Sequence, residues 1–210
     1  MTQFELSRRE AMAGLAASAA IPLLTSANPA FAAQAGGAEA QATALLDSIA
    51  ENLLNLSPEN ATSLGIDTGA RAGLKHRLGD RSGIGQQRIA QTLRADLARA
   101  NAVDTAALSH STRTSVEVVR SAFATALEGF RLPYGDVPVA YNSWRKTPYV
   151  VIQNVGAYLD VPRFLDSDHP IGNAADADAY LARLRSYARQ LDGELDRMRA
   201  ARGAGLVPPA

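Results

Sequence analysis

Residues 173–203 read NAADADAYLARLRSYARQLDGELDRMRAARG, and this stretch sets the fold class. Asn173-Ala174-Ala175-Asp176 has the form of a capping box with Asp in the acidic position, so a helix starts there. Leu181, Leu184, Ala188, Leu191, Leu195 and Met198 follow at steps of three, four, three, four and three. That spacing is a heptad-like seam sustained over about 18 residues. Arg197, Arg199 and Arg202 crowd the last turns, where cations suit the helix dipole, and Gly203 is a natural stop. The seam predicts that the helix packs inward through its leucines.

Working back from that helix, every other periodic segment is also helical. Gln41 to Leu56 carries Leu46, Ile49, Leu53 and Leu56 on one face. Ser57-Pro58-Glu59 restarts a short helix, with Ser57 as N-cap and Pro58 at the first helical position, ending near Gly65. Gly65 to Gly85 holds six glycines and many charges and reads as loop. Gln86 to Ala100 places Ile89, Leu93 and Leu97 together, and Ser111 to Phe130 does the same for Val116, Val119, Phe123, Leu127 and Phe130. Pro133 to Pro148 is irregular. Pro148 opens a predicted helix to about Leu159, with Val151, Val155, Tyr158 and Leu159 inward, and Pro162 starts a further short turn to Leu165. No segment alternates as a strand does. The expectation is an all-α fold, an irregular multi-helix array with long loops over residues 45–210.

The chain begins differently. Arg8 and Arg9 stand side by side, an apolar, Ala-rich stretch runs from Ala11 to Leu24, and Ala30-Phe31-Ala32 is a small-x-small site. A charged, then apolar, then small-residue order is the layout of a secretory signal, and the arginine pair points to the twin-arginine (Tat) route. Residues 1–32 are therefore read as a signal peptide cleaved before Ala33, with 33–44 as a flexible linker. The expected partner is the Tat export machinery, and the expected location periplasmic or secreted. The apolar stretch is too short for a stable membrane anchor.

Lys plus Arg and Asp plus Glu both number 21, for a formal net charge of zero. A nucleic-acid binder needs a basic excess to displace counterions, so that class is set aside. There is no cysteine, hence no disulfide, no thiol chemistry and no lipid anchor on cysteine.

Catalytic signatures are scarce. His76, His110 and His169 lie in three separate segments, without the paired histidines of a helical zinc motif. His169 follows Asp166 and Asp168 and precedes Pro170, a group that could ligate a cation but more often forms a turn before a helix cap. Gly83-Ile84-Gly85 starts like a dinucleotide fingerprint but lacks the third glycine and a preceding strand. No Gly-x-Ser-x-Gly elbow is present. No catalytic or metal residue is assigned. The unusual stretch is Tyr141 to Tyr158, where Tyr141, Trp144, Tyr149 and Tyr158 gather with Gln153 and Asn154. Aromatics with amides can line a substrate groove or pack a loop onto the helices.

These residues also resemble a known family. Thr147-Pro148-Tyr149-Val150-Val151, Gly156-Ala157-Tyr158-Leu159, Pro162-Arg163-Phe164-Leu165, His169-Pro170-Ile171, the run from Asp176 to Leu184 and Gly205-Leu206-Val207-Pro208-Pro209 look like the N-terminal third of the DUF885 proteins. The resemblance covers most of Ser57 to Pro209. It implies similarity to gluzincin metallopeptidases: largely helical, often exported, with a zinc-binding helix far downstream of a helical portion that covers the cleft. On that reading this chain supplies the helical, substrate-side portion of a metallopeptidase-like protein. It carries no cofactor of its own, zinc being expected only in full-length relatives. It would partner a C-terminal catalytic portion and meet a peptide-like substrate. The alternative is a stand-alone periplasmic helical binding or interaction module.

Overall fold

The computed structural model describes residues 29–137 and 148–207. Arg8 and Arg9 lie outside the described residues, as do Tyr141 and Trp144. The compact helical unit runs from Ala35 to Ala210. In chain order its elements are α1 (Pro29–Leu56), α2 (Pro58–Ser63), a 3₁₀ helix (Gly69–His76), α3 (Gly83–Asn101), α4 (His110–Gly129), α5 (Ala157–Ser167) and α6 (Ala174–Gly203). Among the described residues the only extended pairing is the isolated bridge between Ile152 and Val155. The fold is all-α.

The first half packs as the apolar spacing predicts. Ile49 of α1, Leu93 of α3, and Phe123 and Ala126 of α4 form a buried cluster, with Leu53, Ile89, Leu97, Val119 and Leu127 around it. A second cluster of Ala42, Leu108 and Val116 extends it toward the start of α1. Polar locks fix the register. Asn52 donates to both oxygens of the buried Asp96 carboxylate, at 3.1 and 3.0 Å. Arg120 donates to the Ala100 and Val103 carbonyls, adding a side-chain donor to the carbonyls at the end of α3.

Residues 33–44, expected as a linker, lie within the helical span of α1. Glu39 explains why that part is held. Its carboxylate accepts the Ser109 N–H at 2.9 Å, the Ser109 hydroxyl at 2.8 Å and the Thr112 hydroxyl. It thus sits at the positive end of α4, and the Thr112 bond first, then those from Ser109, hold its carboxyl below the usual carboxylate range. The predicted Gly-rich loop is likewise part helix, since Gly69–His76 winds as 3₁₀. The helix predicted from Gln86 begins three residues earlier, at Gly83. Ser82 caps it by accepting the Gly85 N–H at 3.1 Å. A Cβ on Gly85 would sit 2.1 Å from the Asp80 carbonyl oxygen, so the second glycine of that pair serves close backbone packing.

Two corrections concern the second half. No helix runs from Pro148 to Leu159. Residues 148–156 form bends and a tight turn closed by reciprocal Ile152 and Val155 backbone bonds at 3.0 and 3.1 Å. Gly156, at φ +141°, takes a conformation that suits glycine, and α5 begins at the next residue. Pro162 then lies inside α5 rather than at the start of a new turn. It cannot offer an N–H to the Tyr158 carbonyl, which accepts the Tyr187 hydroxyl at 3.5 Å instead.

The larger correction is the face of α6. Leu181, Leu184, Leu191, Leu195 and Met198 are 38–49% exposed, and Ala188 is exposed too. The inward face is polar and small: Asp176, Ala179, Arg183, Gln190, Gly193, Glu194 and Ala201 are buried. Its partner is the segment 77–82, which lies along the helix with its carbonyls turned to it. Arg183 Nε donates to the Arg77 carbonyl at 3.0 Å, Gln190 to Gly79 at 2.6 Å and Arg197 to Arg81 at 3.3 Å. Side chains seven apart on the helix meet alternate carbonyls of the loop. Buried backbone acceptors need donors, and leucines could not supply them.

Gly193 permits the closest approach. A Cβ there would lie 2.9 Å from both Cα and N of Ser82. Alanine in an open helix is worth up to about 1 kcal/mol over glycine, but here the sign reverses. Gly193→Ala is expected to cost about 1–3 kcal/mol, the usual cost of overpacking. Urea unfolding checks it, and a raised midpoint would contradict the close contact.

Candidate functional site

The groove expected around Tyr141–Tyr158 is only partly within the described residues. Tyr149 is half-buried, while Gln153 and Asn154 sit exposed in the tight turn. Tyr158 is 43% exposed, and its hydroxyl donates to the Ile152 carbonyl at 3.0 Å. It braces the turn. None of these four lines either of the two clefts described below.

A cleft of about 350 Å³ lies beside the end of α4 and is lined by Thr125, Gly129, Leu132, Tyr134, Asp136 and Val137 among others. A larger one, about 520 Å³, opens between α5 and α6. Pro162 and Leu165 form one wall, Tyr180, Leu184 and Tyr187 the other, and Asp166, His169 and Ile171 close an end. Four apolar residues and two tyrosines with one carboxylate and one imidazole make a wall suited to apolar or aromatic groups carrying a polar handle.

His169 is the chemically suggestive residue here, and its surroundings decide what it can do. It is buried. Arg183 Nη1 lies 2.6 Å from Nδ1, and Nε2 lies 3.1 Å from the Asp176 carbonyl oxygen. Arginine can only donate and a carbonyl can only accept, so Nδ1 carries the lone pair and Nε2 the proton. Tyr180 packs edge-on against the ring at 5.5 Å. With both nitrogens engaged within the fold, His169 orients the wall of the cleft. His76 ends the 3₁₀ helix and His110 begins α4, both exposed. The structure does not bring the three histidines together. Among the described residues no three His, Asp or Glu side chains form a metal-holding group.

Arg183, which the sequence reading passed over, organises this region. It is fully buried. Besides His169 and Arg77 it donates to the Thr62 hydroxyl at 2.7 Å and the Leu74 carbonyl at 3.3 Å, and its guanidinium lies 4.8 Å from the centre of the Phe164 ring. The Thr62 hydroxyl in turn donates to the buried Asp67 at 2.7 Å. Burial pushes the guanidinium down to about 10, against the pull of Glu59 and Asp67. The signal for it in the sequence was its place seven residues before Gln190 and fourteen before Arg197.

Asp176 closes the circuit. Its backbone N–H is capped by Asn173 at 3.0 Å, as the capping box predicts, but its carboxylate accepts the Gly172 N–H at 3.0 Å and Lys75 Nζ at 2.7 Å. The hydrogen bond from Lys75, then that from Gly172, hold its carboxyl below the usual range.

No described helix is long and apolar enough to cross a membrane. No curated protein and no solved structure matches the chain. The family described as "Bacterial protein of unknown function (DUF885)" matches residues 58–210. That match spans α2 to the end of α6, including both walls of the larger cleft and the Arg183 network. As it covers well over half of the sequence, the chain belongs to the DUF885 family.

Proposed function

We propose that this chain is the N-terminal helical portion of an exported, metallopeptidase-like DUF885 protein and supplies a substrate-side wall. The observation that carries the reading is the cleft between α5 and α6, apolar and aromatic, stiffened from behind by Arg183 and His169. A wall held by a buried hydrogen-bond network keeps its shape, which lowers the ordering cost of binding. Its occupant is an apolar, peptide-like side chain. Zinc belongs to full-length relatives and does not fit the histidines here: His169 is engaged at both nitrogens, and His76 and His110 stand on other elements. The role of this chain is binding.

Titrating short apolar peptides while recording amide resonances tests the wall. Shifts are expected at Ile171, Tyr180 and Tyr187, and the exposed Ile171→Asp variant should lose them without loss of fold. Shifts scattered elsewhere, or none at millimolar peptide, would count against it. A reading frame after the codon for Ala210 that encodes a His-Glu zinc helix would support the metallopeptidase-like assignment.

Export through the Tat route rests on Arg8-Arg9 and Ala30-Phe31-Ala32. Changing both arginines to lysine is expected to abolish periplasmic accumulation, with processing before Ala33 lost at the same time. Undiminished yield in a Tat-deficient strain would exclude the route.

A further inference from the structure

The exposed stripe on α6 is too regular to be scattered surface. Leu181, Leu184, Ala188, Leu191, Leu195 and Met198 form one line that rises about 26 Å along the helix, and all are exposed. An apolar patch of that length marks an interaction surface. Its spacing is that of a two-helix seam, with leucine or methionine at every position but one.

The flanking charges identify the partner. Just beside the stripe, Asp178, Arg185, Asp192 and Arg199 recur every seven residues, alternate in sign and are all exposed. The opposite flank is not free in the same way: Tyr187 is half-buried and faces the cleft toward α5, and Glu194 and Ala201 are buried against the chain's own body. A column that alternates in sign complements itself when reversed.

We propose that α6 pairs with α6 of a second copy, antiparallel, about a two-fold axis between residues 189 and 190. In that register Leu181 packs on the partner's Met198, Leu184 on the partner's Leu195, and Ala188 on the partner's Leu191. The same register sets Asp178 against the partner's Arg199, and Arg185 against the partner's Asp192. Each contact occurs twice, as a two-fold interface requires. Ala188, the one small residue of the stripe, falls beside the axis, where the helices approach most closely. A parallel pair would set this charged column against the partner's buried flank and gain no ion pair.

Sedimentation equilibrium of the full chain tests this, with circular dichroism confirming that each variant folds. The native chain is expected to dimerise at micromolar concentration. Arg185→Asp, which sets like charges together at two places, should weaken the dimer about tenfold or more. The reversed pair Arg185→Asp with Asp192→Arg should restore it. Leu191→Glu should give monomer. A chain that is monomeric throughout, or a dimer indifferent to the single swap, or a double swap no better than the single one, would overturn the proposal.

Discussion

Replacing Arg183 by methionine is expected to cost about 3–5 kcal/mol of folding stability, although it exchanges a buried charge for an apolar chain of similar length. The reason lies in what the guanidinium leaves behind. Its nitrogens serve the Leu74 and Arg77 carbonyls, the Thr62 hydroxyl and His169 Nδ1. Each buried acceptor deprived of a donor costs roughly 1–3 kcal/mol, and relief of the arginine's own desolvation offsets part of the total. In a domain of this size each kcal/mol moves Tm by about 2–4 °C, so a fall of about 10 °C or more is expected. Arg183→Lys should fall between the two, because one ammonium cannot reproduce the planar fork. Thermal unfolding by circular dichroism checks both. A methionine variant as stable as the native chain would show that the network is dispensable.

The pH dependence of the same group has a definite sign. The folded value of about 10 lies below the ordinary guanidinium range, so folding disfavours the charged form. That cost is fully present below about pH 10 and is relieved as pH rises from there toward the ordinary guanidinium range. Alkali should therefore not destabilise the fold through Arg183. Asp176 acts in the opposite sense. Its carboxyl is lowered, so what it contributes is present above the ordinary carboxylate range and is lost as pH falls through its folded value.

The sequence revealed the helices better than their orientation. Leu93, Val116 and Phe123 were predicted inward from apolar spacing, and all three are buried. There the apolar face and the buried face coincide because helices pack on helices. In α6 two stripes share heptad spacing, one of leucines and one of Arg183, Gln190 and Arg197, and periodicity alone cannot choose between them. The choice is made by segment 77–82, whose carbonyls need donors. That need is invisible until the loop is known to lie under the helix. The Pro148–Leu159 segment was misread for a related reason. A proline can open a helix, but Gly156 at φ +141° ends the preceding turn and resets the start to Ala157. Of the candidate groove, the aromatic residues were visible in sequence. The cleft between α5 and α6 was not, since Leu165, Tyr180 and Tyr187 come together only through the inverted packing of α6.

That packing also makes Glu194→Leu the second severe substitution, with an expected loss of about 3–5 kcal/mol. Glu194 is 3% exposed, at a position where the heptad pattern predicts solvent. Both its oxygens accept the Ala157 N–H, at 3.0 and 2.9 Å, and Oε1 accepts Arg81 Nη1 at 2.8 Å. Gly156 has no side chain with which to cap α5, so a carboxylate from α6 does so across the interface, at the positive end of the helix. Burial pulls Arg81 downward, and Glu194, followed by Asp160 and Glu59, more than reverses it, so the guanidinium stays above its ordinary value. Leucine would leave the Ala157 N–H buried without this acceptor and Arg81 leaning on Asp160 alone, at 3.2 Å. A double-mutant cycle with Arg81→Met separates the parts. If the ion pair dominates, Arg81→Met should recover much of the loss in the Glu194→Leu background. If the helix cap dominates, the two losses should add, while Glu194→Gln, which still offers an oxygen to Ala157, should be mild. A Glu194→Leu variant that unfolds at the native midpoint would mean that α5 needs neither.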